Sequence, residues 1–211
     1  MLLIEPTTFV AFVAAALAMV MSPGPDTIIV LRYTISSGRG VGAAAVMGVQ
    51  FGLVGHTILA IVGLSIVIAS SPALFTLIAI AGAGYIAWLG VQGIRKGIVR
   101  VEGTNSTIGV SHAKALRDAM LTNLPNPKVI LVFLALMPNF VDVERGQVPG
   151  QLLILGATLI AINTLWQLPL ALPADWIRSL LDQPRFQHIV NWGTGIVLLA
   201  IAAMMLVEHV L

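Results

Sequence analysis

Ser22-Pro23-Gly24-Pro25-Asp26 and Asn123-Leu124-Pro125-Asn126-Pro127-Lys128 are the stretches whose reading decides the fold. Each sets a Pro-X-Pro and then one charged residue inside a hydrophobic run. Thr27 to Leu31 follows the first, Val129 to Leu136 the second. Both pairs of prolines are 102 positions apart (125 − 23 and 127 − 25). Proline has no backbone N–H and clashes with the preceding turn, so each motif should break a helix. In lipid, a broken helix leaves polar backbone groups that something must satisfy. An acid at one break and a base at the other read as a repeated site.

The 211 residues are 58% hydrophobic and 9% charged, with a mean hydropathy of +0.98. Soluble domains carry about 25% charged residues, so the composition indicates an all-α integral membrane protein. Cysteine is absent, which excludes disulfides and thiolate metal sites. The net charge of +2 gives no case for nucleic acid as a partner. Glu5 near the start, and no small-residue cleavage site ahead of Pro23, favour a retained first helix over a removed leader.

Six apolar segments are expected: Thr7–Ile35 (broken at Pro23), Val41–Ala69, Pro72–Ile94, Ala115–Val141 (broken near Pro125), Gly150–Ala174 and Ile189–Val210. Each can cross a hydrocarbon core of about 30 Å. Of eleven basic residues, nine are read into alternate loops: Arg32 and Arg39 after the first segment; Arg95, Lys96, Arg100, Lys114 and Arg117 after the third; Arg178 and Arg185 after the fifth. Arg145 lies on the opposite side and Lys128 within the fourth segment. Positive residues mark the cytoplasmic face. Both termini of this multi-pass membrane protein are therefore expected outside the cytoplasm. The first and fourth segments then run in opposite senses. One transmembrane domain, residues 1–211, would hold two inverted three-helix repeats at about 1–100 and 111–211. Inverted repeats with broken helices are a recurring transporter plan. The plain alternative is two unrelated proline kinks.

Pro23, Gly24, Pro25 and Asp26, with Asn123, Asn126, Pro127 and Lys128, are the candidate binding and gating residues. A carboxylate inside the membrane costs about 2.5–3.5 kcal/mol on insertion scales, although Asp26 could equally cap the half-helix that follows it. Lys128 could snorkel to the interface, or approach Asp26 and form a buried ion pair. Together they suit a zwitterion, the ammonium at Asp26 and the carboxylate at Lys128. Asn123 and Asn126 could repair backbone or contact a substrate. Asp26 and His56 are the candidate proton carriers, His56 because imidazole titrates near neutrality; a helix–helix hydrogen bond is its alternative. Asn163 and Gln167, four apart on one face, could line a path or hold helices together, and Tyr85 could reach the same path. Gly48 and Gly52 form a small-xxx-small pattern that suits close helix packing or a homodimer. No catalytic constellation appears. The histidines are scattered and no metal-ligand spacing occurs, so neither an enzyme, a cofactor nor a metal site is expected.

The chain resembles the RhtB-type (homoserine/threonine exporter) branch of the LysE superfamily. The residues that carry the likeness are Ser22 to Asp26, Gly38-Arg39-Gly40, Gly48 to His56, Gly82 to Gly90, Thr122 to Lys128 and Met137 to Val141. Family members usually have an aliphatic residue at Pro125 and commonly glutamine at Asn139. The deeper match between the halves is thus Pro25 with Pro127. The resemblance implies secondary active export of amino acids or derivatives from the cytoplasm across the bacterial plasma (inner) membrane, with protons as the coupling partner. Because Asp26 is the lone mid-helix acid, small neutral substrates are favoured over basic ones. Alternating access about the two breaks would be the mechanism. The rivals are a cation, heavy-metal or other small-metabolite exporter on the same scaffold, and a non-transport membrane assembly protein.

Overall fold

The computed structural model describes residues 3–22, 24–95, 110–171 and 183–210. The described elements are helices: α1 (Pro6–Met21), α2 (Pro25–Ser37), α3 (Arg39–Ser70), α4 (Pro72–Arg95), α5 (His112–Asn123), α6 (Pro127–Leu131), α7 (Val148–Leu170) and α8 (Pro184–Val210). α6 continues as a π turn, Val132–Leu136, and a 3-10 turn, Met137–Phe140. Each expected apolar segment is helical over its described residues. The first and fourth are broken, and each bends by 52°.

Among the described residues, Arg39–Gly63 and Val148–Leu170 are long and apolar enough to span a membrane unaided. Counting each bent pair as one broken span gives four. Shorter apolar stretches run over Thr76–Gln92 and Trp192–Met204. One face of α3 shows what such helices present outward: Met47, Phe51, Val54 and Ile58, spaced at helical intervals, are all exposed. In water such a stripe would be costly; against acyl chains it is not.

The basic residues sit closer to the helices than their reading as loop residues suggested. Arg32 lies in α2, Arg39 opens α3, Arg95 closes α4, Lys114 and Arg117 belong to α5, and Arg185 falls in the first turn of α8. The α2–α3 connection is a single residue, Gly38, at φ 86°. A side chain rarely adopts that conformation, which accounts for glycine there. Lys96, Arg100 and Arg178 lie outside the described residues. α7 ends earlier than expected, just past Pro169, where Ala171 N–H turns back to the Leu168 carbonyl at 3.0 Å.

Small residues set the helix spacing. A Cβ at Gly48 would collide with the Leu116 carbonyl, and one at Gly52 with the Asn123 side chain. That face of α3 is therefore filled by α5 of the same chain, which explains the small-xxx-small pattern internally. α4 and α8 meet at Gly90 and Gly195, where a Cβ on either would stand 2.8–2.9 Å from the other's carbonyl oxygen. In the fourth segment Pro138 cannot donate to Leu134. The helix loosens there, so that the Met137 N–H reaches back five residues to the Val132 carbonyl.

Candidate functional site

The two breaks are built alike and tied to each other. At the first, Ser22 is extended, closing α1 with its N–H on the Ala18 carbonyl at 3.2 Å. Gly24 is extended and accepts from the Ile28 N–H at 3.1 Å, opening α2 with Pro25 in its first turn. Pro23 lies outside the described residues. At the second, Asn126 N–H bonds the Asn123 carbonyl at 3.0 Å. The Asn126 side-chain oxygen then accepts from the Lys128 N–H at 3.1 Å, capping α6 ahead of Pro127. Pro127 costs nothing at the first helical position, where its missing N–H would have had no partner.

Asp26, half-buried in the first turn of α2, accepts two hydrogen bonds across the break. Asn123 Nδ2 reaches Oδ2 at 2.9 Å and Asn126 Nδ2 reaches Oδ1 at 3.1 Å. In return, Lys128 Nζ donates to the Ser22 carbonyl, one of the oxygens that the end of α1 leaves without a helical partner. Gly24 makes room for this crossing, since a Cβ there would stand 3.3 Å from Lys128 Cδ. The direct ion pair expected between Asp26 and Lys128 is not formed; the ion pairs among the described residues lie elsewhere. The reason is geometric. Amides on the turn of break two reach the carboxylate first, and the long lysine chain passes on to the carbonyl beyond.

Of the two readings open to the asparagines, Asn126 takes up backbone repair, and it bonds Asp26 at the same time. Asn123 is fully buried, and its Oδ1 has no hydrogen-bond partner. Turning the amide over would aim that oxygen at the carboxylate, so Asp26 fixes its orientation and Gly52 receives the oxygen.

Beside these ties opens a narrow cleft that both breaks line. Gly24, Asp26, Thr27 and Lys128 line one side, and Asn163 and Gln167 of α7 line another. Met19, Leu53, Val132 and Leu159 supply apolar wall. Asn163 and Gln167 also hold helices together. Asn163 Nδ2 donates to Gln50 Oε1, and Gln50 Nε2 to Gln167 Oε1, each at 3.4 Å. The pair thus ties α7 to α3 while lining the cleft. His56 stands behind the second break, its Nε2 3.5 Å from the Asn123 carbonyl and its ring stacked 5.4 Å from Phe133. Tyr85 is not brought to this cleft; its ring lies 5.3 Å from Trp88 on α4.

Sequence reasoning passed over Ser22, Gln50 and the pair Tyr33–Asp118. Ser22 acts through its carbonyl, which residue type does not reveal. Gln50, an amide in a hydrophobic helix, was a visible signal. Tyr33 Oη donates to Asp118 at 2.7 Å, tying α2 to α5 beyond the break. Among the described residues, no three His, Asp or Glu side chains gather where they could hold a metal ion.

The LysE type translocator family matches residues 17–209, which takes in both breaks and every wall of the cleft. The chain belongs to the LysE family. It is a membrane transport protein and not an enzyme. Among its relatives is the uncharacterized membrane protein YrhP of Bacillus subtilis (strain 168). It is 33% identical over 199 residues, covering 90% of this chain and 94% of the relative. The homoserine/homoserine lactone efflux protein of Salmonella typhi is 30% identical over 196 residues, 92% and 94% of the two chains. The leucine efflux protein of Enterobacter sp. (strain 638) is 28% identical over 202 residues, 95% and 96%. No solved structure matches.

Proposed function

We propose that this LysE-family protein exports small neutral amino acids from the bacterial cytoplasm by proton antiport, using the cleft between the two breaks in an alternating-access cycle. The observation that carries the reading is the cross-tie itself. A carboxylate and an ammonium face one cleft, each held by neutral groups from the opposite break. An amino acid brings the complementary charges. Its carboxylate replaces the Ser22 carbonyl at Lys128, and its ammonium replaces the amides at Asp26. Each exchange gives a charge a partner of opposite sign in place of a neutral one, which adds a Coulomb attraction to the hydrogen bond. The relatives named for homoserine and leucine efflux support substrates of this class.

Protonation of Asp26 removes its full charge and its capacity to accept from both asparagines and an ammonium. A proton arriving from outside thus releases the substrate, and its loss to the cytoplasm restores the site. His56, beside Asn123, is the second candidate to pass that proton. The inverted-repeat reading places the two breaks around a pseudo-two-fold axis, with both termini outside in the inner membrane. Equal bends and the packing of α3 on α7 and of α4 on α8 support it.

The test is uptake of labelled amino acids into inside-out vesicles, with and without an imposed proton gradient. Wild type should accumulate neutral amino acids only with the gradient. Asp26→Asn should lose the gradient dependence, and Lys128→Ala should raise the substrate concentration needed for half-maximal uptake. Gradient-driven uptake by Asp26→Asn equal to wild type would sink the proton role. Metal-dependent uptake without amino-acid uptake would favour the rival exporter.

A further inference from the structure

A second cavity, of about 230 Å³, lies at the end of the bundle that the proposed orientation puts outside. The cleft at the breaks holds about 40 Å³, so the wider space is the outer one. Two elements line both. On α1, Thr8 and Ala11 line the cavity and Met19 the cleft; on the fourth segment, Asn139 and Phe140 line the cavity and Val132 the cleft. Between the two levels the walls close. Phe12, next to Ala11 and fully buried, sets its ring edge-on against Phe140 at 5.3 Å and 72°. Leu136 and Met137, which lead from Val132 to Phe140, are fully buried as well.

This seal stands on backbone that is not regular α-helix. Val132–Leu136 is a π turn and Met137–Phe140 a 3-10 turn, and such turns within helices mark hinges and functional sites. Winding the π turn down to α shifts the register by one residue, which would swing Phe140 about 100° around the segment axis and off Phe12. The inner halves of the two broken segments, α2 and α5, are joined by different chemistry, Tyr33 Oη on the Asp118 carboxylate at 2.7 Å.

We infer that Phe12 and Phe140 form the outer gate of the cleft, and that the cavity beyond them is the vestibule through which the solute leaves. Thr7, Thr8 and Asn139 give the cavity polar walls, which suit a hydrated solute rather than an acyl chain, and Thr7 is exposed. Parting the two rings joins the cleft to a space already present. An aromatic contact has no hydrogen bond to break on opening, whereas the inner end must break the bond between Tyr33 and Asp118. The inference rests on the proposed export through this cleft and names the residues that close its outer side.

The chain has no cysteine, so Met19→Cys on the cleft wall and Thr8→Cys on the cavity wall each introduce a single thiol. A membrane-impermeant maleimide is added to the outer face of intact cells. The Thr8→Cys thiol should react readily. A gate open for about 10% of the time or less should slow the Met19→Cys thiol by about tenfold or more, compared with the same thiol when Phe12→Ala or Phe140→Ala is added. Leu152→Ala, a buried change on α7 that lines neither space, controls for general loosening and should leave the Met19→Cys rate unchanged. Detergent-solubilised protein is checked for monodispersity. Where the alanine variants fail that check, Phe12→Cys with Phe140→Cys, bridged by a short bifunctional methanethiosulfonate, should take up no amino acid into inside-out vesicles until the bridge is reduced. A Met19→Cys rate indifferent to Phe12 and Phe140, an unreactive Thr8→Cys, or bridged protein that transports at full speed overturns the gate. Folded protein that keeps the labelling pattern but moves no amino acid overturns the proposed export and still supports the gate.

Discussion

Gly52→Ala tests whether helix packing sets the geometry of the cleft. Gly52 lies on α3, away from the cleft, and the added methyl would overlap Oδ1 of Asn123 and stand 2.8 Å from its Cβ and Cγ. Something must shift, and Asn123 is the group in the way. Overpacking a buried contact costs about 1–3 kcal/mol. If Asn123 withdraws, its 2.9 Å bond to the Asp26 carboxylate is lost, and a bond to a charged group is worth about 1.5–3 kcal/mol. Alanine returns about 1 kcal/mol through helix propensity. The net is about 1.5–5 kcal/mol, concentrated at the first break. Each 1.4 kcal/mol is about tenfold in a rate or binding constant, so uptake should fall by at least about tenfold. Gly84→Ala is the control, since nothing lies within 4 Å of a Cβ there. The assay is vesicle uptake with thermal stability in detergent measured alongside. Gly52→Ala protein that transports as well as Gly84→Ala would refute the argument that α3 holds Asn123 against Asp26.

Gln151 is fully buried and accepts from Asp142 N–H at 2.8 Å while donating to the Asp142 and Gly146 carbonyls at 2.7 and 2.8 Å. Gln151→Leu should cost about 2–4 kcal/mol in stability, read as earlier thermal unfolding. Outside the membrane spans, hydrogen bonds from the Arg145 backbone and guanidinium hold the Asp142 carboxyl below its usual range. A depressed value stabilises the fold above the unfolded pKa and loses that effect as pH falls through the folded one. The melting gap between wild type and Asp142→Asn should hold down to about pH 5 and close below about pH 4. The chain has no cysteine, so single cysteines at Lys114 and Glu144 can be labelled directly. They should react from opposite faces of the membrane, and labelling from the same face would undo the proposed orientation.

Hydropathy made the helical segments legible, and proline chemistry made the breaks legible, because both act locally. Pro25 and Pro127 sit at first helical positions as their missing donors require. The partner of each charge was not legible. Asp26 and Lys128 announce opposite signs, and sign alone suggests that they pair. Their partners are amides and a carbonyl because the breaks meet at an offset that only packing determines. Gly24 permits that offset by letting a lysine chain cross a backbone. Gly48 and Gly52 show the same limit: the pattern states that something comes close, and only the fold shows that it is α5. Asn163 and Gln167 were legible as one face, but the role of Gln50 behind them depends on how α3 and α7 align.

The cross-tie also bears on how such a protein can vary by descent. Asp26 depends on two asparagines encoded about a hundred codons later, and Lys128 on a carbonyl whose position is set by the turn at Gly24. Neither half carries a complete set of partners. Either half made without the other carries an unmatched break, however well its helices insert. The two ends of the gene are thus bound to change together, and the unit of inheritance is the pair of turns rather than either three-helix half.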